Sequence, residues 1–356
     1  MTTSEGGRDY AVSVVLSTYN RSDRLGLALD ALLSQVGDVE FEVIVVDNNS
    51  TDRTADLVAD YVAAAGERVR YVFEPRQGLS YARNTGIQTA RAPIIAFSDD
   101  DVRVATDWIQ QVKRTLDQHP DIDYLGGRVL PHWLKPPPRW LTQAHWAPLA
   151  LQDYGIDPLV SGRERAVCLV GANLAFRRRV FDVVGLFTPA LGRVKDGIGS
   201  TEDHDMQLRV WRAGMRGVYV SNVVAVADVT ADRLLKSYHR RWHRGHGHHC
   251  ARMRLRELVP ADLGPMSEPG DILTLFGAPA FVYGDLVKTA YNWIRALCRR
   301  GDSLFYAHQF HHLVSYLNTA RIAFATENGA SAPAELARFV PSYLRKRRRL
   351  AQRCVG

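Results

Sequence analysis

The first hundred residues alternate short apolar runs with segments whose leucines and alanines recur at helical spacing. Buried strands are predicted at four apolar runs, Val12–Leu16, Phe41–Val46, Val69–Phe73 and Ile94–Phe97. Helices are predicted between them over residues 24–35, from the 48–52 turn to about 65, and over 79–90. Strands that alternate with helices predict an α/β fold with a mixed, mainly parallel sheet that helices cover on both faces.

The chain changes character at about Gly126. Glycine, proline and tryptophan residues over 126–146 predict an irregular segment, such as a loop or a lid. Regular patterns then return as strands over 166–176 and 219–226 and as helices over 177–184 and 203–214. The remainder is helical and basic. We therefore expect a first domain at 1–231, with halves at about 10–125 and 126–231, and a helical basic region at 232–356.

Composition identifies an ordinary globular protein. The 356 residues are 46% hydrophobic and 23% charged, and the four cysteines lie far apart, which favours free thiols in a reducing compartment. The N-terminus has no basic segment followed by an apolar one, and the apolar stretch 272–283 is well short of the roughly 20 residues that a spanning helix needs. These features predict a cytoplasmic protein without a transmembrane helix.

Three adjacent carboxylates, Asp99, Asp100 and Asp101, directly follow the fourth apolar run. Adjacent carboxylates repel one another unless a cation or solvent relieves the charge. Mg²⁺ or Mn²⁺ suits such a site, because it takes one or two carboxylates and completes its shell with phosphate oxygens and water. Asp47 also follows a strand, and ligands bind beyond the carboxyl ends of such strands. The pattern favours a shared metal-binding crevice; a solvated turn is the simpler alternative.

A second acidic segment, TEDHD at 201–205, precedes a predicted helix and follows the glycine-containing loop 192–199. A carboxylate at such a position can act as a general base towards a hydroxyl group. Capping of the helix N-terminus by Thr201 is the structural alternative.

Six segments, in order, resemble family 2 of the inverting, nucleotide-sugar-dependent glycosyltransferases, which have the GT-A fold. They are VSVVLSTYN at 12–20, VIVVDNNSTD at 43–52, GLSYARNTG at 78–86, IIAFSDDD at 94–101, GANLAF at 171–176 and TEDHDMQLRVWRAG at 201–214. The resemblance covers about the first 230 residues, and its strength lies in the order of the segments. It makes 10–125 the nucleotide-binding half and 126–231 the acceptor half.

The resemblance implies that residues of the first half bind the nucleotide sugar. The predicted contacts are Thr18, Tyr19 and Asn20 in the first loop, Asp47 at the base, Arg83 and Asn84 in an A-R-N element, and Asp99 and Asp100 in the acidic triplet. An arginine in this place also suits a diphosphate, and helix packing is the alternative role for Arg83 and Asn84. Asp99 and Asp101 correspond to the outer positions of the D-x-D motif, with Asp101 as the direct metal ligand.

The resemblance makes Asp203 the base that deprotonates the acceptor hydroxyl. Glu202, Asn173 and Trp242 are expected beside the acceptor or behind the residues that contact it. A metal ion would stabilise the departing nucleoside diphosphate. Attack from the face opposite that leaving group would invert the anomeric carbon.

The chain departs from the family pattern after its last predicted core strand. Where relatives often carry a histidine, this sequence has Asp228, which could ligate the metal or lie at the surface. Arg241 and Trp242 resemble part of the Q-x-x-R-W motif of processive synthases, but Tyr238 occupies the glutamine position. We therefore do not expect a processive polymer synthase.

Two features of the C-terminal region have competing interpretations. Histidines 239, 243, 246, 248 and 249 with Cys250 suggest zinc, although no second ligand pair is spaced to close a site. The arginine-rich end at 345–349 could bind anionic lipid, with Trp293, Phe305, Tyr306 and Phe310 inserting from neighbouring helices, or form a solvated helix whose aromatic residues are buried.

The sequence as a whole predicts an inverting transferase that moves a sugar from a UDP-, GDP- or dTDP-sugar to a glycan, lipid-linked or small-molecule acceptor, with Mn²⁺ or Mg²⁺. Its pathway would be the assembly of a cell-surface polysaccharide or another glycoconjugate, and its location the cytoplasm or the inner face of the membrane. A sugar nucleotidyltransferase would show a glycine-rich loop, whereas residues 17–21 contain no glycine. A nucleic-acid-binding protein would fit the net charge of +7 but not the acidic triplet, so we expect no nucleic acid partner.

Overall fold

A computed structural model describes residues 9–195, 197, 201–259, 264–267, 272–299, 301–328 and 339. The chain forms two compact units, residues 1–234 and 235–356. The arginine-rich end at 345–349, Cys354 and part of the loop 192–199, all of which entered the sequence-based predictions, lie outside the described residues. The other three cysteines are free thiols.

The first unit is built from nine strands and six helices within its described residues. The strands are β1 Val12–Thr18, β2 Phe41–Asp47, β3 Val69–Phe73, β4 Ile94–Asp99, β5 Val102–Val104, β6 Tyr124–Trp133, β7 Leu159–Ser161, β8 Asn173–Arg177 and β9 Gly217–Val229. The helices are α1 Ser22–Leu33, α2 Thr54–Ala65, α3 Leu79–Thr89, α4 Trp108–Gln118, α5 Arg179–Val184 and α6 Glu202–Arg212.

All nine strands join one mixed sheet in the order β3-β2-β1-β4-β8-β6-β9-β5, with β7 paired to β9. Strands β3, β2, β1 and β4 are parallel neighbours, β8 runs antiparallel to β4 and β6, and β6 is parallel to β9. Every residue of β1 and β2 is buried, as expected for parallel strands covered on both faces. The predicted α/β fold class is confirmed.

The segment predicted as irregular, 126–146, begins within the ten-residue strand β6, so that part of the prediction was wrong. Its glycines serve close packing instead of a loop. A Cβ atom at Gly127 would lie 1.8 Å from the carbonyl oxygen of Val223, and the β6–β9 register shifts between Gly127 and Arg128. Glycine therefore permits the close approach of two strands at a bulge.

The second unit contains α7 Lys236–Arg252, α8 Leu255–Leu258, the short strands β10 Thr274–Leu275 and β11 Ala278–Pro279, α9 Ala280–Cys298 and α10 Ser303–Asn328. Its apolar core includes Cys250 of α7, Val282 of α9, and Leu313 and Tyr316 of α10. The helical character predicted for this region is confirmed. No helix among the residues that the structure describes is long and apolar enough to cross a membrane.

The histidines of α7 pack against histidines of α10. The imidazole rings of His239 and His243 stack on that of His308, with centroids 5.7 and 5.0 Å away, and His246 contacts His312. Within the described ranges, no group of three or more His, Cys, Asp or Glu side chains is arranged to hold a metal ion. The structure thus places these histidines in helix packing.

Asn173, predicted near the acceptor, connects four elements of the first unit. Its side-chain amide donates to the carbonyl oxygens of Arg128 in β6 and Val223 in β9, at 2.8 and 3.0 Å. Its Oδ1 accepts a hydrogen bond from the indole N–H of Trp108 in α4, at 2.8 Å. The side chain lies at the start of β8 and is buried, so we assign it a structural role.

We expect Asn173→Ala to destabilise the first unit by about 2–4 kcal/mol, because it leaves one buried donor and two buried acceptors without their partner. Asn222→Ala is the matched control, since that exposed amide has one hydrogen bond to Gln111. Denaturant unfolding of both variants measures the difference. Equal losses in the two variants would contradict the structural role.

Candidate active site

The candidate site lies at the carboxyl ends of β1, β2 and β4. Thr18 of β1 pairs in register with Asp47 of β2, and Ser17 pairs with Asp99 of β4. Because parallel strands end at the same edge of a sheet, the common direction of these three strands brings the predicted donor-site residues together. The expected shared crevice therefore has a structural basis.

The loops that follow β1 and β2 are tied together by Asn20. Its Oδ1 accepts the backbone N–H of Thr51 at 2.7 Å, and its own N–H donates to Ser50 Oγ at 2.9 Å. Asn20 adopts a left-handed backbone with φ of 51°, which asparagine tolerates better than most residues. Asn20 thus shapes the first loop, whereas nucleotide contacts by Tyr19 and Asn20 stay predictions.

Asp47 is buried at the end of β2, where its carboxylate has two local donors. Oδ1 accepts the backbone N–H of Ser50 at 2.9 Å, and Oδ2 accepts the hydroxyl of Tyr71 at 2.8 Å. Burial, together with this hydrogen bond to Asp47, raises the pKa of Tyr71 to about 12. The predicted base-reading carboxylate is therefore held in a fixed orientation, with a tyrosine beside it that the sequence did not single out.

The acidic triplet is divided among different partners. Asp100 Oδ2 accepts the hydroxyl of Thr18 at 2.9 Å, while its Oδ1 lies 3.6 Å from Arg21 Nη1. Asp101 Oδ2 accepts from Arg21 at 3.0 Å and from Arg233 at 3.3 Å. Thr18, predicted to contact the nucleotide, thus also supports the middle aspartate.

These partners shift the pKa values of Asp100 and Asp101 in opposite directions. Burial raises the pKa of Asp100 to an extent that Arg21 does not cancel. Burial also acts on Asp101, but Arg233 and Arg21 outweigh it and lower the pKa of Asp101. Repulsion within the triplet is relieved by the arginines and by the tendency of Asp100 to hold a proton.

Arg83 of α3 links the triplet to the second acidic segment. Its guanidinium group lies 3.6 Å from Asp99 Oδ1, 3.2 Å from Glu202 Oε1 and 2.6 Å from Asp203 Oδ1. The side chain is 4% exposed, so these ion pairs are shielded from solvent. Burial alone would lower the pKa of Arg83, but Asp203, Glu202 and Asp99 raise it, which keeps the guanidinium charged.

Aromatic rings fix the orientation of this guanidinium. Its central carbon lies 5.9 Å from the ring centroid of Phe97 in β4 and 5.4 Å from that of Phe187. A planar guanidinium packs well on such rings while its edge donates to several carboxylates. The resemblance implied a place for Arg83 at the nucleotide site, and the structure shows that its guanidinium group also contacts both acidic segments.

Asp203 lies in the first turn of α6, where the helix N-terminus favours negative charge. Its Oδ1 accepts from Arg83, and its Oδ2 accepts the backbone N–H of Gly171 at 2.9 Å. A Cβ atom at Gly171 would lie 2.4 Å from Asp203 Oδ2, so only glycine leaves room for the carboxylate. The side chain remains 21% exposed and thus accessible to a ligand.

Asn84 has partners in a distant segment of the chain, and its place at the nucleotide stays a prediction. Its side chain forms reciprocal hydrogen bonds with the backbone of Phe187, at 2.8 Å to the carbonyl oxygen and 2.9 Å from the N–H group. The amide is buried and joins α3 to a segment 103 residues away. We therefore assign Asn84 to holding the two halves of the first unit together.

Asp228, predicted as a metal ligand, has other partners. Its Oδ1 accepts from Arg103 at 2.6 Å and contacts His132 Nδ1 at 2.9 Å, while its backbone N–H donates to the carbonyl oxygen of Asp101 at 2.9 Å. Its backbone is therefore next to the triplet, but its carboxylate is engaged by side chains of β5 and β6. Metal ligation by Asp228 stays a prediction.

Trp242 belongs to α7 of the second unit, where its ring stacks on that of His246 at 4.4 Å. Its proposed place near an acceptor stays a prediction.

Three arginines near the triplet were not identified from the sequence. Arg21 and Arg233 bind Asp101, and the exposed Arg193 acts electrostatically on Asp99 and Asp101. Arg21 could have been found, because it follows the first predicted nucleotide loop directly. Arg193 and Arg233 carry no such signal.

The carboxylates of Asp99 and Asp101 fit a hard divalent cation by their chemistry, since Mg²⁺ and Mn²⁺ prefer oxygen ligands. Asp99 is 29% exposed, and its contact with Arg83 is a loose 3.6 Å. Both arginine contacts of Asp101 reach Oδ2. Two carboxylates suffice for an ion that takes its remaining ligands from phosphate and water.

Comparison with known proteins agrees with this geometry. The model of glycosyl transferase family 2 matches residues 13–185, which include the strand ends, the triplet and Arg83. Residues 13–185 belong to this family. The resemblance read from the sequence motifs is thus confirmed.

Similarity to individual family members is more limited. Glucosyl-dolichyl phosphate glucuronosyltransferase of Haloferax volcanii is 27% identical over 211 residues, covering 58% of this chain and 66% of that protein. Validoxylamine A glucosyltransferase of Streptomyces hygroscopicus subsp. jinggangensis is 40% identical over 104 residues, covering 28% of this chain and 24% of that protein. The aligned regions therefore leave about a third of the first relative and most of the second unmatched.

Among solved structures, the fold resembles the mannosyltransferase PcManGT from Pyrobaculum calidifontis, determined in complex with GDP-Man and Mn²⁺. The TM-score is 0.51 at 20% identity, with 95% of this chain and 81% of that chain covered. At this level of identity the likeness concerns the fold alone.

A further buried carboxylate, Glu74, organises the loop that follows β3. It accepts the backbone N–H and the guanidinium group of Arg76 at 2.8 Å, and it also accepts the hydroxyl of Thr85. The amide of Asn48 donates to the carbonyl oxygens of Glu74 and Arg76, which attaches this loop to the end of β2. The hydrogen bonds from Arg76 lower the pKa of Glu74 to about 2, although burial opposes them.

We expect Glu74→Gln to lower the melting temperature at pH 6 by about 2–4 °C. Because the folded-state pKa of Glu74, about 2, lies below the unfolded value of about 4.3, its contribution to stability is present above pH 4.3 and is lost as the pH falls towards 2. The variant should therefore lose less stability than the wild type over that range. Thermal unfolding between about pH 5 and 2.5 tests this, with the exposed Glu67→Gln as the control. Parallel curves for all three proteins would refute it.

Proposed function

We propose that this chain transfers a sugar from a nucleoside-diphosphate sugar to an acceptor hydroxyl group, with inversion at the anomeric carbon, in the assembly of a cell-surface polysaccharide or another glycoconjugate. The donor is a UDP-, GDP- or dTDP-sugar, and the acceptor is a glycan, a lipid-linked sugar or a small molecule. One observation carries the proposal. A single buried guanidinium, Arg83, contacts both Asp99 of the acidic triplet and Asp203 of the second acidic segment.

The donor side of the proposed site is the shared edge of β1, β2 and β4. Asp47 would accept a hydrogen bond from the base, and the loop around Tyr19 would contact the nucleoside. Asp99 and Asp101 would hold Mg²⁺ or Mn²⁺, which when bound neutralises charge on the departing diphosphate. Arg21 and Arg233, which already contact Asp101, add positive charge at the same place.

The acceptor side is built around Asp203. Its carboxylate takes the proton of the acceptor hydroxyl while the acceptor oxygen forms a bond to the anomeric carbon. The bond from that carbon to the diphosphate oxygen breaks, and its electron pair leaves with the nucleoside diphosphate. Attack and departure on opposite faces of the sugar give inversion. The Gly171 N–H fixes Oδ2, so the geometry of the base is set before the acceptor arrives.

Arg83 connects the two sides through competition for its hydrogen bonds. Without a ligand it donates to Asp203 Oδ1, which is the atom that an acceptor hydroxyl would need. A diphosphate beside Asp99 offers the guanidinium strong new acceptors. Donor binding would then weaken the hold of Arg83 on Asp203 and free the base when the sugar is in place. This coupling would keep Asp203 paired with Arg83 until a donor is bound, and so would restrict proton removal to the donor complex.

The relatives restrict the substrate only to a class. Their names describe glucuronosyl transfer to glucosyl-dolichyl phosphate and glucosyl transfer to validoxylamine A, so a lipid-linked and a small-molecule acceptor are both represented. The structural neighbour was determined with GDP-Man and Mn²⁺, which supports a metal-dependent nucleotide-sugar donor as the first condition to assay.

We expect Asp203→Asn to reduce turnover by about 10²–10⁴-fold with a small change in donor affinity, because it removes the base and keeps the shape. Asp101→Ala should weaken donor binding as well as turnover. Release of nucleoside diphosphate is measured over a panel of UDP-, GDP- and dTDP-sugars with Mn²⁺ and with Mg²⁺. Asp182→Asn, an exposed carboxylate of α5, is the control and should retain activity. Full activity of both site variants would disprove the mechanism.

We expect Arg83→Lys to reduce turnover by about tenfold or more, because a lysine cannot bridge three carboxylates. The ratio of donor hydrolysis to sugar transfer should rise, because Asp203 would lose the contact that orients it and would select less well between the acceptor hydroxyl and water. The matched control is Arg70→Lys, which alters another arginine that pairs with a buried carboxylate, Glu42. Both variants can lose stability, but only the first should change the hydrolysis ratio. If the ratio of hydrolysis to transfer is unchanged in Arg83→Lys, the proposed coupling is wrong and the role of Arg83 is structural.

A further inference from the structure

The helix α9 exposes an apolar stripe that the proposed reaction does not use. We define the α9 stripe as Val287, Tyr291, Ile294, Leu297 and Cys298. The first four side chains are 70, 63, 62 and 60% exposed, and the cysteine is also exposed. At 100° per residue these positions fall within about 120° of the helix surface. Such a contiguous exposed row differs from the scattered apolar residues of an ordinary surface.

The opposite side of α9 packs inside the second unit. Val282 is fully buried in the core with residues of α7 and α10, and Leu286 packs against the same cluster. Trp293 contacts Phe310 of α10, with ring centroids 5.5 Å apart. Helix α9 is therefore packed firmly in the second unit on one side and exposes the stripe on the other.

Basic residues border the stripe along one edge. Lys288, Arg295 and Arg299 are exposed and recur at the spacing i, i+7, i+11, which places them next to Tyr291 on the helix surface. Helix α9 contains one acidic residue, Asp285, whose Oδ2 lies 3.9 Å from Nη2 of Arg256 in the same unit. An apolar row with a basic border is the arrangement of helices that lie in the plane of an anionic membrane surface.

Charge is distributed unequally between the two units. Residues 235–356 contain 19 Lys and Arg but 8 Asp and Glu, a formal charge of +11, whereas residues 1–234 carry −4. A cationic unit is drawn to anionic lipid by long-range attraction, and the apolar row supplies the contact that holds it there.

We propose that the second unit docks on an anionic bilayer surface through the α9 stripe, with Lys288, Arg295 and Arg299 at the lipid headgroups. A second copy of this chain is a poorer occupant, because a symmetric contact would bring the two basic rows together. Nucleic acid would match the charge but not the apolar row. The proposal concerns attachment and is independent of the proposed sugar transfer.

The stripe also differs from the surface that the sequence suggested. Trp293, Phe305, Tyr306 and Phe310 were expected to insert, but all four are half-buried. The aliphatic residues of α9 and Tyr291 are the more exposed, so they would enter the bilayer interface first.

The test compares binding of the full chain to vesicles of phosphatidylcholine with and without phosphatidylglycerol, by flotation. We expect binding to the anionic vesicles only, and a loss of about tenfold or more in Lys288→Gln/Arg295→Gln/Arg299→Gln and in Val287→Ser/Ile294→Ser/Leu297→Ser. The control is Val36→Ser/Ile156→Ser/Val183→Ser, three apolar residues of the first unit that are 59, 75 and 60% exposed, and it should bind like the wild type.

Further measurements separate this surface from its rivals. Circular dichroism and release of nucleoside diphosphate from the donor show that the variants remain folded, so lost binding reports on the surface. Three results would overturn the proposal. The first is equal binding to both vesicle types, and the second is an equal loss of binding in the control variant. The third is a wild-type protein that binds no vesicles and is a dimer, which the apolar substitutions convert to a monomer. Failure of the sugar-transfer assay alone would leave it standing.

Discussion

The candidate site depends on one buried guanidinium in contact with three carboxylates. Without Arg83, Asp99, Glu202 and Asp203 would face one another at low exposure, and each would favour protonation or a shift towards solvent. The contacts of Arg83 span β4 and the start of α6, so charge balance also fixes the distance between the two halves of the first unit. Asn84, the next residue of α3, reinforces that connection with uncharged hydrogen bonds to Phe187.

The residues at the shared edge of β1, β2 and β4 could be predicted because the positions of these strands follow from short apolar runs in the sequence. Apolar runs locate β1, β2 and β4, and a parallel sheet brings Thr18, Asp47 and Asp99 to one edge without knowledge of any long-range contact. The predicted strand of residues 69–73 agrees with β3 in both ends, and the other strand predictions of this half are one or two residues short. Local pattern thus determines what lies at the edge, but it does not determine which side chains pair there.

The partners escaped prediction because they are far apart in the chain. Arg233 meets Asp101 across 132 residues, Asn84 meets Phe187 across 103, and Asp228 meets Arg103 across 125. No periodicity links such positions, so the sequence indicated none of these hydrogen bonds. Strand β6 was missed for a different reason. Its glycines resemble a loop in sequence, but at Gly127 the missing side chain makes room for a neighbouring strand.

The formal charge of the first unit, −4, implies that attraction of an anionic donor must be local. Arg21, Arg83, Arg193 and Arg233 surround the triplet, and a divalent ion at Asp99 and Asp101 would add to them. The general excess of positive charge lies instead in the second unit, where no diphosphate site is proposed. This separation of charge favours selective binding at the site, because a uniformly basic protein would bind polyanions without selectivity. Unspecific attraction of anions acts mainly in the unit with the α9 stripe. Selection of the ligand at the candidate site can therefore depend on the geometry of its side chains.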